Sequence, residues 1–352
     1  MILPALLVFL FVLISVPTWC HFAPRLGLID TPDARKVHEG TIPSVGGLAI
    51  FSVLLPFFLL LVPLGIIEKT ALTAAFLILL IVGALDDRTP VNARIKFALH
   101  FLAVALVVWG SGMILHSMGN LFGLGVTQFG WFAGIFTLAC GVYMINAMNM
   151  MDGMDGLGAG IAFVMIGWLL ILAVLADTQA LALLCALSLA ALAGFLWYNM
   201  RHRFRARATV FLGDAGSMSL GLLITFLAVR LSQDPMITAP PIVFAFIVAL
   251  PIWDAFGLLI MRWRAGRPPF SPDNGHFHHH FLAAGYTPAQ ATPLILSYAA
   301  LLGAVGVLLS TLGVPEVVLT ALWVTGWIGH TFLTCCNQGF IRFLRHLRGH
   351  AR

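Results

Sequence analysis

Three segments of the sequence place aspartates beside apolar runs, where a carboxylate needs an explanation. Asp86 and Asp87 lie in GALDDR, Asp152 and Asp155 lie in NAMNMMDGMDGLGAG, and Asp214 lies in FLGDAGS. A negative charge at a helix C-terminus opposes the helix dipole, so the first pair indicates catalysis or cation binding rather than capping. Burying a carboxylate near a bilayer costs roughly 2.5–3.5 kcal/mol, which favours a function for the second pair.

Glycines accompany the second and third of these segments. The glycines of DGMDGLGAG predict a break between helices, where backbone can approach a ligand. Asp214 stands alone between glycines, just before an apolar run, and this arrangement suits a hard cation held by carboxylate and phosphate oxygens. The methionines around Asp152 are expected to pack.

A fourth segment, residues 262–285, is rich in histidine and arginine. It contains His276, His278, His279 and His280, preceded by Arg262, Arg264 and Arg267. Clustered histidines suggest zinc, but a structural zinc site usually adds cysteine ligands, and no cysteine of the chain is close in sequence. An anion-binding surface for phosphates is the favoured interpretation, with zinc as the alternative.

Carboxylates for Mg²⁺ and cationic or imidazole groups for phosphate are together what phosphoryl transfer requires. Lys36 and Lys96 are further candidates to hold a phosphate, and a role in membrane topology is the alternative for both. A transporter would place charges near the bilayer midplane, on discontinuous helices arranged in repeats. The apolar runs are nearly free of charge at their centres and no repeat is evident. An anion or metal transporter gated by the histidines is kept as the rival from another class.

The elements that carry these segments are predicted to be membrane helices. Of 352 residues, 60% are hydrophobic and 9% charged, whereas soluble domains carry about 25% charged residues. Apolar runs of about 20 residues recur, each long enough to cross a hydrocarbon core of about 30 Å. They predict an all-α integral membrane fold with about eleven transmembrane helices, at 1–20, 44–66, 70–85, 95–115, 129–148, 157–176, 179–199, 217–231, 240–261, 291–311 and 316–335. The first run lacks a basic n-region and is interpreted as a retained span.

The distribution of basic residues predicts the orientation. With the N-terminus periplasmic and the C-terminus cytoplasmic, 17 of the 19 Lys and Arg residues lie inside, and only Lys69 and Arg230 lie outside. Residues 1–338 are predicted to form one membrane domain with cytoplasmic catalytic loops at 21–43, 86–94, 149–156, 200–216 and 262–290. The basic tail 339–352 is expected on the anionic inner leaflet.

At these motifs the sequence resembles the polyprenyl-phosphate N-acetylhexosamine-1-phosphate transferases, of the glycosyltransferase 4 type. The matching motifs are RKVHEGTIPSVGG at 35–47, LDDR at 85–88, INAMNMMDGMDGL at 145–157, FLGDAGS at 211–217 and PFSPDNGHFHHHFLAAGYTPAQA at 269–291. The chain is most similar to the bacterial branch that uses UDP-GlcNAc and undecaprenyl phosphate. That branch usually has an aliphatic residue where this chain has His280, so the working histidines are expected to be His276, His278 and His279.

The resemblance implies roles for individual residues. Asp214 looks like the principal metal ligand, and Asp86 and Asp87 look like the pair near the lipid phosphate, as base, nucleophile or cation ligand. Phe211 sits where the family stacks uracil. The resemblance assigns Asn149, Asp152 and Asp155 to the motif that binds the nucleotide sugar. The other residues predicted to bind substrate are Lys36, His38, Lys96, Arg262 and Arg264.

The implied reaction is transfer of GlcNAc-1-phosphate from UDP-GlcNAc to undecaprenyl phosphate with release of UMP, requiring Mg²⁺ or Mn²⁺ in its place. The bilayer is the other expected partner, nucleic acid is not, and a homodimer is left open. The resemblance places the protein in the bacterial inner membrane, at the first step of a lipid-linked surface polysaccharide such as O-antigen. Another UDP-N-acetylhexosamine donor is the nearest alternative.

Overall fold

A computed structural model describes residues 1–30, 40–264, 266, 275–335 and 337–350. Its helices are α1 (Ile2–Leu26), α2 (Gly46–Leu61), α3 (Ile66–Arg88), α4 (Ala93–Gly110), α5 (Ala133–Met151), α6 (Leu157–Leu175), α7 (Gln179–Asn199), α8 (Gly213–Ser232), α9 (Pro241–Ile247), α10 (Ala249–Arg264), α11 (Phe277–Ala283), α12 (Pro288–Thr311), α13 (Glu316–Cys335) and α14 (Asn337–His350). Four short strands are β1 (Ile29–Asp30), β2 (Ile42–Pro43), β3 (Ser117–Gly119) and β4 (Thr127–Gln128), and a 3₁₀ turn covers Gly130–Phe132. Strands β1 and β2 pair antiparallel, with Ile29 opposite Pro43.

The all-α membrane fold predicted from the apolar runs is confirmed. Within the described ranges, nine helices are long and apolar enough to cross a membrane, and the bent pair α9–α10 brings this number to ten. The sixteen-residue α2 is a further, shorter apolar helix. Every one of the eleven predicted runs therefore coincides with a helix or with this pair. Helices α3 and α8 extend into the polar motifs, so the Asp86–Asp87 pair and Asp214 lie in helical turns rather than in loops.

The chain divides into two compact units. The first comprises Met1–Ser117 and Gln128–Thr238, and α8 is its central helix, packed against α2, α3, α5 and α6. Close approach of α8 to its neighbours depends on small residues. A Cβ at Gly47 would strike the backbone of Gly216, and a Cβ at Gly83 would strike the backbone of Ala215. Small residues at helix contacts are how membrane helices bring their backbones together.

The second unit comprises Met118–Thr127 and Ala239–Arg352. A buried apolar cluster of Leu121, Ile242, Phe246 and Leu319 lies in it. Its α9 and α10 meet at an angle of 73°, whereas the sequence predicts one uninterrupted span over 240–261. Pro251 accounts for the break, because a proline has no N–H to donate to the carbonyl four residues earlier, here that of Ile247, and a proline ring clashes with a carbonyl at that position.

Candidate active site

The ammonium of Lys96 joins carboxylates from two different helices. Its Nζ lies 2.7 Å from Oδ2 of Asp86 at the end of α3, and 2.5 Å from Oδ2 of Asp214 in the first turn of α8. All three side chains are less than a third exposed, so these charge-assisted contacts are partly shielded from solvent. The other oxygen of Asp86 accepts a 2.6 Å hydrogen bond from the backbone of Val91. The structure thus brings three of the predicted residues to one point.

Asp214 is held on its other side by α5. The side-chain amide of Asn149 donates to Oδ1 of Asp214 at 2.8 Å and to the hydroxyl of Ser217 at 3.0 Å. The turn that presents Asp214 begins at Gly213, whose φ is +72°. A side chain at Gly213 would be strained at that angle and would also press on the carboxylate of Asp87. The FLGDAGS motif therefore requires glycine at this position.

Asp87 has a structural partner that its place at a helix C-terminus did not suggest. Its carboxylate accepts hydrogen bonds from the backbone N–H groups of Asp214 at 3.1 Å and Ala215 at 3.5 Å. These are unpaired donors at the start of α8, where negative charge is favourable. The sequence argument concerned only the helix that carries the pair, and the structure adds that Asp87 caps a different helix, α8.

The predicted break around Asp152 and Asp155 is confirmed, because α5 ends at Met151 and α6 begins at Leu157. Asp152 is half-buried, and desolvation of its carboxyl, reinforced by the charge of Asp214, raises its pKa to about 7. Asp155 accepts a 2.6 Å bond from Nε of Arg201. Arg201 is the first residue of a basic run at 201–207, and this ion pair ties the start of the run to the break between α5 and α6.

Phe211 lies half-buried just before α8. Its N–H donates to the carbonyl of Pro43 at 2.8 Å, and its carbonyl accepts from Gly46 at 2.9 Å. These backbone bonds fix the segment that leads into Gly213 against the start of α2. The stacking of uracil on Phe211 stays a prediction, while Lys36 and His38 lie outside the described residues.

The histidines belong to the second unit and form a separate group there. His276 Nδ1 lies 2.9 Å from Oδ2 of Asp254 in α10. His278 is almost fully buried, and its desolvation lowers its pKa to about 3, so the ring is neutral at pH 7. His279 is half-buried. Upstream, Arg262 is buried in the last turn of α10 and Arg264 is exposed.

His280 has a structural role. Its Nδ1 lies 2.9 Å from the carbonyl of His276, and its Nε2 lies 3.3 Å from the carbonyl of Thr334 in α13. The ring therefore links α11 to α13 instead of facing outward. The assignment of the working role to His276, His278 and His279 stays a prediction.

The oxygen-rich site around Asp214 fits Mg²⁺. Carboxylate oxygens of Asp86 and Asp214 and the hydroxyl of Ser217 are hard ligands of the kind that Mg²⁺ prefers. The ammonium of Lys96 already lies between the two carboxylates as a cation, which shows that their charges converge on one position. No cluster of three or more His, Cys, Asp and Glu ligands is preformed in the described part of the chain.

Two functional candidates were not singled out from the sequence. Ser217 shares the amide of Asn149 with Asp214. Asp254 is a buried carboxylate in an apolar span, and an ionisable residue in such a span is a candidate for function by that fact alone. The position of Asp254 in an apolar span was visible in the sequence. Ser217 is recognisable as a candidate only from the packing of α5 against α8.

A multi-pass α-helical membrane protein with a carboxylate–lysine site is the class that the fold and site define. Residues 69–232 match the profile of glycosyl transferase family 4. Undecaprenyl-phosphate alpha-N-acetylglucosaminyl 1-phosphate transferase of Yersinia pestis is 33% identical over 94% of this chain and 90% of its own length, and the Escherichia coli K12 protein of that name is 32% identical over the same shares. A probable undecaprenyl-phosphate N-acetylglucosaminyl 1-phosphate transferase of Bacillus subtilis is 33% identical over 81% of this chain and 78% of its own.

The chain therefore belongs to glycosyl transferase family 4. This result confirms the resemblance seen in the motifs, and it identifies the protein as a phospho-sugar transferase. The family profile covers α3 to α8, which includes Asp86, Lys96, Asn149 and Asp214. The histidine segment lies beyond the profile but within the region shared with the relatives from Yersinia pestis and Escherichia coli, which covers 94% of the chain.

Proposed function

We propose that this protein transfers GlcNAc-1-phosphate from UDP-GlcNAc to undecaprenyl phosphate and releases UMP. The names of relatives about a third identical over most of the chain support this reaction. The observation that carries it structurally is the meeting of Asp86, Lys96, Asn149 and Asp214 at the ends of four helices. A site at helix ends can receive a donor from water and an acceptor from the bilayer.

The reaction is a single phosphoryl transfer. An oxygen of undecaprenyl phosphate attacks the β-phosphorus of UDP-GlcNAc, and the bond from that phosphorus to the bridging oxygen breaks. The electron pair leaves with UMP, and the lipid diphosphate keeps the sugar. The second pKa of a phosphate monoester is about 6, so the acceptor is largely dianionic at pH 7 and needs little help from a base. Positioning and charge neutralisation are then the main tasks of the protein.

The residues of the first unit divide these tasks. Lys96 holds a phosphate through its ammonium, and Asp86 orients that ammonium at 2.7 Å. Asp87 keeps the first turn of α8 in place, which sets the position of Asp214. Asp214 would hold a Mg²⁺, which would supply neutralisation of phosphate charge, and Mn²⁺ would offer the same preference for oxygen ligands. Asp152 and Asp155 border the sugar-nucleotide. Within the second unit, His276, His278 and His279 are the proposed phosphate-binding histidines.

Release of UMP tests the proposal. Purified protein is given undecaprenyl phosphate and UDP-GlcNAc, with Mg²⁺ or with a chelator, beside Asp214→Asn. We expect UMP to require lipid, metal and Asp214, with activity at least about 100-fold lower in the variant. The control is Asp177→Asn, which removes an exposed carboxylate at a φ of 53° that asparagine tolerates. UMP release by Asp214→Asn at the unaltered rate would contradict the role of that carboxylate.

Donor range is measured in the same assay. Release of UMP with another UDP-N-acetylhexosamine but not with UDP-GlcNAc would keep the mechanism and change the substrate. We further propose that the protein lies in the bacterial inner membrane with its site in the cytoplasm, and that it starts assembly of a lipid-linked surface polysaccharide such as O-antigen. The cytosolic origin of nucleotide sugars supports that orientation.

A further inference from the structure

Asp254 is a buried carboxylate with two donors on the histidine segment. It is 3% exposed and lies in α10, about one turn after Pro251. Its Oδ2 lies 2.9 Å from Nδ1 of His276, and its Oδ1 accepts the backbone N–H of Phe277 at 2.8 Å. Both donors come from the start of α11, so one carboxylate holds the beginning of the segment that carries His276, His278 and His279.

An apolar span is a costly place for a carboxylate, and two hydrogen bonds only partly offset that cost. A backbone donor alone could be satisfied by a neutral side chain such as asparagine. The second donor, an imidazole, gains something more specific from a carboxylate. An ionised carboxylate only accepts hydrogen bonds, so an ionised Asp254 requires a proton on Nδ1 of His276 and leaves Nε2 as the nitrogen for a ligand.

His278 shows the contrast within the same segment. It is 1% exposed, and neither ring nitrogen has a hydrogen-bond partner in the part of the chain that the structure describes. Its ring lies parallel to that of His276, with 5.6 Å between the ring centroids. Of these two stacked histidines, only His276 therefore has its proton placed by a carboxylate.

We propose that Asp254 is a positioning residue that acts through His276: it fixes the proton on Nδ1 and aims Nε2 at a phosphate oxygen of the substrate. The identity of the substrate in this inference rests on the proposed function. The coupling between Asp254 and His276 does not depend on it. It assigns the carboxylate to the reaction, although α10 is an apolar span and Asp254 itself touches no substrate.

Other titratable groups face this pair from the surrounding helices. His330 of α13 has Nε2 at 4.0 Å from Oδ1 of Asp254, and its ring stacks on Tyr298 of α12. His278, His279 and His280 follow on α11. A pH profile alone would mix these groups, so the test needs a coupling measurement and a direct view of the proton.

The coupling is measured by a double-mutant cycle on UMP release with Asp254→Asn and His276→Gln. Asparagine has one acceptor oxygen, whereas Asp254 has two donors to satisfy, so either His276 or Phe277 loses its hydrogen-bond partner. We expect Asp254→Asn to lower kcat by about 10- to 100-fold, as loss of a partner that orients a ligand usually does. On the His276→Gln background it should lower kcat by no more than about twofold. If the loss of kcat in the double variant equalled the product of the losses in the two single variants, the proposal would be overturned.

The proton is observed by ¹⁵N-histidine NMR, with the signals of His276 identified by their loss in His276→Gln. We expect wild-type protein to show a protonated Nδ1, and Asp254→Asn to move that proton to Nε2. A wild-type His276 with its proton on Nε2 alone would refute the assignment, even if the variant failed to fold. If wild-type protein released no UMP, the proposed function would fail while NMR still decided the coupling.

Glu68→Gln is the matched control. Glu68 is a carboxylate in α3 that pairs with Arg230 at 2.9 Å, far along the helix from Asp86. The Glu68→Gln substitution removes the charge of a membrane-helix carboxylate outside the site, so kcat and the NMR signals of His276 should stay as in wild-type protein. A loss of kcat in Glu68→Gln equal to that in Asp254→Asn would show a general effect of removing charge and would overturn the specific role.

Discussion

Asp86 and Asp87 have the same residue type but different partners in the structure, which the sequence alone did not distinguish. Asp86 and Asp87 are neighbours in sequence and were treated as a pair, yet one binds the ammonium of Lys96 and the other binds backbone N–H groups of α8. Successive residues on a helix point about 100° apart, so adjacent carboxylates meet different partners. A pair of carboxylates at a helix end therefore predicts a site but not a shared role.

Asp152 supports a prediction about pH and stability at the same scale. Its pKa in the folded protein is raised to about 7 from an ordinary 3.8. A raised acid favours the folded state only while protonated, so this contribution is fully present below pH 3.8 and is lost as the pH rises through 7. Asp152→Asn removes the titration. We expect its unfolding midpoint to exceed that of wild-type protein by a margin that grows from about pH 4 to about pH 7.

The measurement is a thermal scan in detergent at pH 5, 6, 7 and 8. A difference of roughly 5 °C or more should be reached by pH 7 and then stay level. Asp177→Asn, an exposed carboxylate in a loop between helices, should follow wild-type protein at every pH. A margin for Asp152→Asn that is the same at pH 5 and pH 8 would refute the raised pKa.

Motifs with a distinctive residue type were predictable from sequence, and partners distant in sequence were not. Asp86, Asp87, Asn149 and Asp214 were identified from their motifs and Lys96 as a cation that follows the Asp pair, and the structure brings them together. Ser217 and Arg201 gained their partners only through helix packing that links residues 46 to 68 positions apart. No local pattern records such a contact, because it depends on the register between helices.

At the scale of elements, apolar length predicted the helices, but their interruptions depend on single residues. The eleven runs became helices because each could satisfy its backbone hydrogen bonds within the span. The break between α9 and α10 was missed, although Pro251 lies in that run. A proline in a membrane helix is often tolerated, so its presence alone did not predict a 73° bend.

The contact of α3 with α8 provides a test at this scale. Gly83 lies where a Cβ would strike the backbone of Ala215, next to Asp214. Backbone cannot move aside as a side chain can, so Gly83→Ala should push the first turn of α8 away from Asp86 and Lys96. We expect UMP release at least about 10-fold below wild type, because a misplacement of about 1 Å can cost that much.

Gly167→Ala is the control for that variant. Gly167 lies in α6, where an added Cβ would meet no atom of the described residues within 4 Å beyond its own stretch of helix. Alanine is the better helix former, so activity should be unchanged and the thermal midpoint equal or slightly higher. Equal activity of Gly83→Ala and Gly167→Ala would show that the approach of α3 to α8 does not set the site.

For the whole molecule, the side on which the site lies is a prediction from charge. Seventeen of the 19 basic residues fall on one side of the predicted spans, far more than an even distribution would place there. Basic residues resist translocation, so that side is expected to be cytoplasmic. The site residues Asp86, Lys96 and Asp214 lie at helix ends on that side. The charge distribution and the proposed function thus both require the site to face the cytoplasm, since the proposed donor is a cytosolic nucleotide sugar.

Accessibility of single cysteines decides the orientation. In a variant with all five native cysteines replaced, Ala206→Cys lies in the exposed loop between α7 and α8, and Thr238→Cys lies in the exposed loop between α8 and α9. These loops flank one helix and must face opposite sides if α8 spans the membrane. With the N-terminus outside, a membrane-impermeant maleimide should label Thr238→Cys but not Ala206→Cys in spheroplasts, and inverted vesicles should reverse the result. Labelling of Ala206→Cys in intact spheroplasts would place the carboxylate site outside and remove its access to cytosolic UDP-GlcNAc.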